Sequence, residues 1–111
     1  MSMPSYSRSS VVLVRYPFSD LTDAKVRPAI VISAPHQSQD LFIVPLTSKT
    51  DHLLSGEFLM TDWQRAGLNV ASAVKRGLFT IHESLVVKMV GFISSQDAGK
   101  LEQSLRAWLD V

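Results

Sequence analysis

Two short stretches concentrate polar, reactive side chains at the ends of apolar runs. Lys25-Val26-Arg27-Pro28 opens one run, which continues to Ser33, and Pro45-Leu46-Thr47-Ser48-Lys49 closes another that begins at Asp40. If the two runs pair antiparallel, Arg27 and Thr47 fall at one edge of the sheet, because a hairpin brings its first and last residues together. That edge carries a guanidinium, two hydroxyls and two ammonium groups, with no carboxylate before Asp51. A planar guanidinium can contact two oxygens of a developing anion and neutralise it. It is a poor general base, because its pKa lies above about 12. On the residues alone a bland reading stays open, with Arg27 as a strand-edge charge and Thr47-Ser48 as a plain turn. A second basic pair, Lys75-Arg76, stands in a turn with Gly77. His36, His52 and His82 are not at paired spacings and have no Glu companions in sequence, so neither a metal site nor a cofactor is expected.

The elements that must position these groups follow from pattern. Ala29 to Ile32 and Leu41 to Leu46 are aliphatic runs bounded by Pro, Ser, Asp and Gln, the signal for buried strands with a short connection. Val11 to Tyr16 reads as the first strand, ended by Pro17, which has no N–H to give. Thr50 to Gly56 reads as a loop and Glu57 to Met60 as a short strand. Thr61 to Gly67 reads as one helical turn with Thr or Asp as N-cap and Gly67 as terminator, and Trp63 as a structural plug. Val70 to Val74 and Leu78 to Ile81 are further strands, and Glu83-Ser84-Leu85 is a bend before a last strand, Val86 to Ile93, with Gly91 marking a bulge. The clearest helix follows Ser94 as N-cap, with Ala98, Leu101, Leu105, Trp108 and Leu109 as its apolar stripe. Together these predict a mainly β domain, a small bent antiparallel sheet with one C-terminal helix.

Composition bounds the class. A chain of 111 residues is one domain, here residues 11–111 after a flexible tail over residues 1–10, and its small core makes dimerisation helpful. With 46% hydrophobic and 19% charged residues it is an ordinary folded protein, and its apolar runs of four to six residues are too short to span a bilayer, so no membrane partner is expected. The absence of Cys fits the cytoplasm. A net charge of +1 is too small by itself to mark a nucleic-acid binder. Its distribution says more: Lys25, Arg27, Lys49, Lys75 and Arg76 lie at strand ends or loops, while Asp97, Glu102 and Asp110 lie near the C-terminus. The alternatives are a basic concavity opposite an acidic helix, or charges scattered for solubility.

Three pieces in order, Val12-Leu13-Val14-Arg15-Tyr16-Pro17-Phe18-Ser19, Lys25-Val26-Arg27-Pro28-Ala29-Ile30-Val31-Ile32-Ser33 and Pro45-Leu46-Thr47-Ser48, resemble the PemK/MazF family of toxin endoribonucleases from type II toxin–antitoxin systems. Asp62-Trp63 followed by Ala66-Gly67-Leu68 also recurs in PemK-like members. Ser9-Ser10 stand where the family usually has Gly and an acid, a departure that touches a turn or a dimer contact rather than the chemistry. The resemblance covers residues 11 to 109 and implies the SH3-like barrel of the PemK and CcdB toxins, active as a homodimer. It implies a metal-independent endoribonuclease that cleaves single-stranded RNA by attack of the substrate's own 2′-hydroxyl, with Arg27 and Thr47 as the catalytic pair. Phe18, Ser19, Lys25, Ser48, Lys49, Lys75 and Arg76 would then bind RNA, Phe18 by stacking a base, although Phe18 is equally readable as a core residue at a strand end. A cognate antitoxin would be the partner. Two other readings remain: a non-catalytic gyrase poison of the CcdB type, whose terminal Trp-Gly-Ile is not matched by Trp108-Leu109-Asp110-Val111, and a catalytically silent RNA-binding module.

Overall fold

In the computed structural model the described residues are 6–16 and 25–111. Seven strands form one antiparallel sheet: β1 (Ser10–Tyr16), β2 (Lys25–Val31), β3 (Asp40–Thr47), β4 (Phe58–Leu59), β5 (Ala73–Val74), β6 (Phe79–His82) and β7 (Val86–Phe92). A 3-10 turn, Glu83–Leu85, joins β6 to β7, and the chain closes with helix α1 (Ser95–Leu109). The sheet runs β4-β5-β3-β2-β1-β7, with β6 also alongside β3. Strand β3 therefore changes partner along its length. Its first half, Asp40 to Ile43, pairs with β6, and Leu46 and Thr47 pair with β5.

Period-two alternation sends side chains to both faces, and each face has its own core. Val11, Ile30, Val44 and Leu46 pack with Met60, Ile93 and Leu101 beneath the helix. Val12, Val14, Ala29, Val31, Leu41 and Ile43 pack with Ile81 on the other side. Burial on both faces explains the nearly continuous apolar runs of the sequence.

The mainly β architecture with a C-terminal helix is as expected, but the sheet is open rather than a closed barrel. Among the described residues no ladder joins β7 to the far end. Strand β7 is shifted twice against β1, leaving Val90 and Val87 as extra residues between successive partners. Such bulges twist an edge and discourage further pairing.

Several details differ from expectation or refine it. Strand β2 starts at Lys25 rather than Ala29, because β1 supplies partners as far as Lys25 opposite Tyr16. The strand expected over Val70 to Val74 shrinks to Ala73–Val74, and the Val70 carbonyl instead accepts the Ser72 hydroxyl at 2.9 Å. Thr61 to Gly67 forms the single helical turn expected, with Ala66 N–H donating to the Asp62 carbonyl at 3.1 Å. Its N-terminal N–H groups are taken by a distant residue: Asp97, 1% exposed, accepts Thr61 N–H and Asp62 N–H, each at 2.9 Å. Gly67 does end the segment in the left-handed region, φ +91°, with Leu68 N–H donating back to the Trp63 carbonyl at 3.2 Å. Lastly, Leu109 is exposed rather than part of the helix's apolar stripe.

The helix is capped as its sequence predicts: Ser94 Oγ accepts Asp97 N–H at 3.2 Å. Ala98, Leu101, Leu105 and Trp108 face the first core. Ser104 Oγ donates to the Gly56 carbonyl at 2.6 Å and Trp108 Nε1 to the Ser55 carbonyl at 3.0 Å, which ties the helix to the loop before β4. Residues 6–10, expected within the tail, carry contacts of their own. Ser9 N–H donates to the Val31 carbonyl at 2.8 Å, and its carbonyl accepts Ile93 N–H at 3.0 Å.

Candidate nucleic-acid interface

The β2–β3 ladder stops at Ala29 opposite Pro45. Pro28 and Pro45 both lack an N–H, so pairing cannot continue through them in the usual pattern. Beyond this point β3 turns toward β5, and Lys75 N–H donates to the Pro45 carbonyl at 3.0 Å. The released ends of β2 and β3 border a groove of about 620 Å³. Arg27, two residues before Ala29, and Thr47, two residues after Pro45, lie on these released ends.

Arg27, Thr47, Ser48, Lys49 and Lys75 all line this groove. Among the described residues its lining holds three cations and no carboxylate or imidazole. Arg27, Ser48, Lys49 and Lys75 are exposed and Thr47 is half-buried. Thr47 Oγ1 accepts the N–H of Lys49 at 3.1 Å, a local turn bond that fixes the hydroxyl and leaves its O–H as a donor.

The Lys75 turn is held from behind. Glu57 accepts Arg76 N–H at 2.8 Å and Leu54 N–H at 2.7 Å. These two backbone hydrogen bonds, with the nearby Lys75 and Arg76 charges, hold its carboxyl below the usual carboxylate range despite the opposing effect of burial.

The opposite wall is Gly67, Leu68, Asn69 and Val70, from the segment anchored by Asp97. That wall lies close to β7. A Cβ on Gly67 would collide with the Val90 carbonyl oxygen, and one on Gly91 would lie 2.5 Å from the Ala66 carbonyl oxygen. The two glycines permit backbone to pack on backbone.

The remaining expected residues fall elsewhere. Lys25 begins β2 opposite Tyr16 and Arg76 belongs to the Glu57-bound turn, and neither lines the groove. Phe18 and Ser19 lie outside the described residues. His36 and His82 sit toward the other end of β3, each accepting a serine N–H at Nδ1, from Ser38 at 3.0 Å and Ser84 at 3.1 Å. His52 lies exposed beside Asp51. Among the described residues no three His, Cys, Asp or Glu side chains gather as a metal site. The sequence reading missed Leu68, Asn69, Val70, Ser72 and Phe79, all in the lining. Only Phe79 carried a signal, as an apolar residue in a short strand next to the basic turn. A smaller cavity of about 220 Å³ between Arg8 and the first turns of α1 holds none of the expected residues.

Residues 7–109 match the family described as PemK-like, MazF-like toxin of type II toxin–antitoxin system. No curated protein sequence matches. Among solved structures the chain is similar to MazF from Deinococcus radiodurans, with a TM-score of 0.78 and 14% identity over 98% of this chain and 100% of that one. An endoribonuclease from a mycobacterial species superposes with a TM-score of 0.75 and 16% identity, covering 100% of this chain and 97% of the other. A mycobacterial endoribonuclease in complex with its cognate antitoxin gives 0.68 and 15%, covering 98% and 97%.

Proposed function

The chain belongs to the PemK-like, MazF-like toxins of type II toxin–antitoxin systems, and from that premise we propose that it is a metal-independent endoribonuclease acting on single-stranded RNA. The observation that carries this reading is the groove at the splayed ends of β2 and β3, lined by both Arg27 and Thr47, with three cations and no acid in the described lining. A polyanion is attracted to such a lining and a carboxylate-bound metal is not.

In the proposed reaction the 2′-hydroxyl oxygen attacks the adjacent phosphorus, the P–O5′ bond breaks, and the products are a 2′,3′-cyclic phosphate and a 5′-hydroxyl. The 2′-hydroxyl surrenders its proton and the departing O5′ gains one. DNA lacks the nucleophile and is not cleaved. Arg27 neutralises the extra charge of the pentacoordinate intermediate through its two-pronged guanidinium. Thr47 donates its O–H to a non-bridging oxygen, with its acceptor side already occupied by Lys49 N–H. Lys49 and Lys75 hold flanking phosphates.

The endoribonuclease similar in fold that is complexed with its cognate antitoxin supports an antitoxin as partner here. An acidic segment laid in the groove would complement its charge. Exposed Val87, Met89 and Phe92 on the open edge strand support self-association as a homodimer. The gyrase-poison reading has no support from the C-terminus, where the Trp108 indole is bonded to Ser55.

The test is incubation of purified protein with long single-stranded RNA in EDTA, beside Arg27→Ala, with the ends mapped by sequencing. Discrete cuts with 5′-hydroxyl ends are expected, slowed by about 10²–10³-fold in the variant. Intact RNA from folded protein across several diverse transcripts, or equal cleavage by Arg27→Ala, refutes the assignment.

A further inference from the structure

The groove is unequal across its width. Its three cations, Arg27, Lys49 and Lys75, belong to β2, to the chain just past β3 and to the turn after β5, whereas Gly67 to Val70 opposite them carry no charge. A single strand laid there turns its phosphates to the cations and its bases to the neutral wall, because its backbone holds all of its charge. On that wall Asn69 is the one residue with a polar side chain, and it holds the only side-chain amide among the described residues of the lining.

Asn69 is exposed, and its amide makes no hydrogen bond with another described residue. The chain on either side of it is held. Leu68 packs against the first core and its N–H donates to the Trp63 carbonyl at 3.2 Å, and the Val70 carbonyl accepts the Ser72 hydroxyl at 2.9 Å. An uncommitted amide on a fixed backbone is suited to reading a base, since little ordering is left to be done on binding.

A side-chain amide presents one acceptor and one donor side by side. An unpaired base shows a protein both its Watson–Crick and its Hoogsteen edge. Adenine offers the matching pair on both, its N6 amino group beside N1 or beside N7, whereas the other three bases offer a donor beside an acceptor on the Watson–Crick edge alone.

We infer that Asn69 selects an adenine in the target strand, through a two-bond contact between its amide and the adenine edge. This rests on the ribonuclease reading and deepens it by naming a residue that sets specificity. Arg27 and Thr47 act at the phosphorus and carry no information about the base. Asn69 touches a base and takes no part in bond cleavage.

The test uses an RNA library randomised across the cleavage site and cut by wild type and by Asn69→Ala, with the relative rates for the four bases read at every position by sequencing. At one position wild type is expected to favour adenine. In Asn69→Ala that preference falls by about 5- to 150-fold, the range for one lost two-bond base contact, while preferences at the other positions are retained. Each value is a ratio within one reaction, so a lower folded fraction of the variant leaves it unchanged. Purine riboside, which lacks the N6 amino group, is then placed at that position of a single RNA, where it is expected to slow wild type by a comparable factor and Asn69→Ala no further. A wild type that favours adenine nowhere, an Asn69→Ala that keeps the adenine preference, or equal slowing of both proteins by purine overturns the inference while leaving the nuclease intact. A wild-type protein that cuts no RNA overturns the nuclease reading and this inference with it.

Discussion

Replacing Asp97 by Ala tests whether a helix residue on one side of the core builds a groove wall on the other. The carboxylate is 1% exposed and accepts Thr61 N–H and Asp62 N–H, each at 2.9 Å. A hydrogen bond to a charged group contributes about 1.5–3 kcal/mol, so two set a ceiling of about 3–6 kcal/mol. Thr61 is exposed and its N–H regains water in the variant, which brings the expected loss to about 3 kcal/mol. At about 4 °C per kcal/mol for a domain of this size, the melting temperature falls by about 12 °C. Asn at this position recovers little, because its amide turns a donor toward one of the two N–H groups. The assay is a thermal melt followed by circular dichroism at one fixed protein concentration, since any self-association makes the midpoint concentration-dependent. Glu102→Gln is the control: it lies exposed on the same helix and is expected to stay within about 0.5 kcal/mol of wild type. An Asp97→Ala midpoint within about 2 °C of wild type refutes the argument, since two buried charge-assisted bonds cannot be lost so cheaply.

Gly67→Ala is expected to cost more than about 2 kcal/mol, because its φ of +91° strains an L side chain and its Cβ meets the Val90 carbonyl. A urea midpoint equal to wild type contradicts this. Glu57 predicts an acid-dependent stability. Its folded pKa is lowered, chiefly by the Arg76 and Leu54 N–H groups, so its contribution is full above the unfolded value of about 4.3 and is lost as pH falls through the folded value. The stability gap between wild type and Glu57→Gln should therefore be widest at neutral pH and close in strong acid. Urea titrations at several pH values read it, and a gap that grows on acidification refutes the sign.

The placement of the candidate site was partly legible in local chemistry. Arg27 and Thr47 bracket two apolar runs that can only pair antiparallel, and that pairing puts them at one edge whatever surrounds it. Ser94 and the three-to-four spacing after it likewise foretold α1, since caps and periodicity act within a few residues. Lys25 and Arg76 show the limit of that reading. Each is basic and close in sequence to a groove residue, yet Lys25 lies two residues further out along β2, opposite Tyr16, and Arg76 belongs to a turn bound to Glu57, and neither is in the lining.

By itself the sequence determined the identity of the antiparallel runs, their capped helix and the prolines that end the β2–β3 ladder, all properties of neighbours along the chain. Tertiary structure alone decided that Asp97 caps a segment 35 and 36 residues away, that Gly67 and Gly91 let two backbones touch, and that Phe79 joins Arg27 and Thr47 in one groove. Those pairings depend on which surfaces meet when both sheet faces bury their side chains, and no local preference encodes a meeting between distant segments.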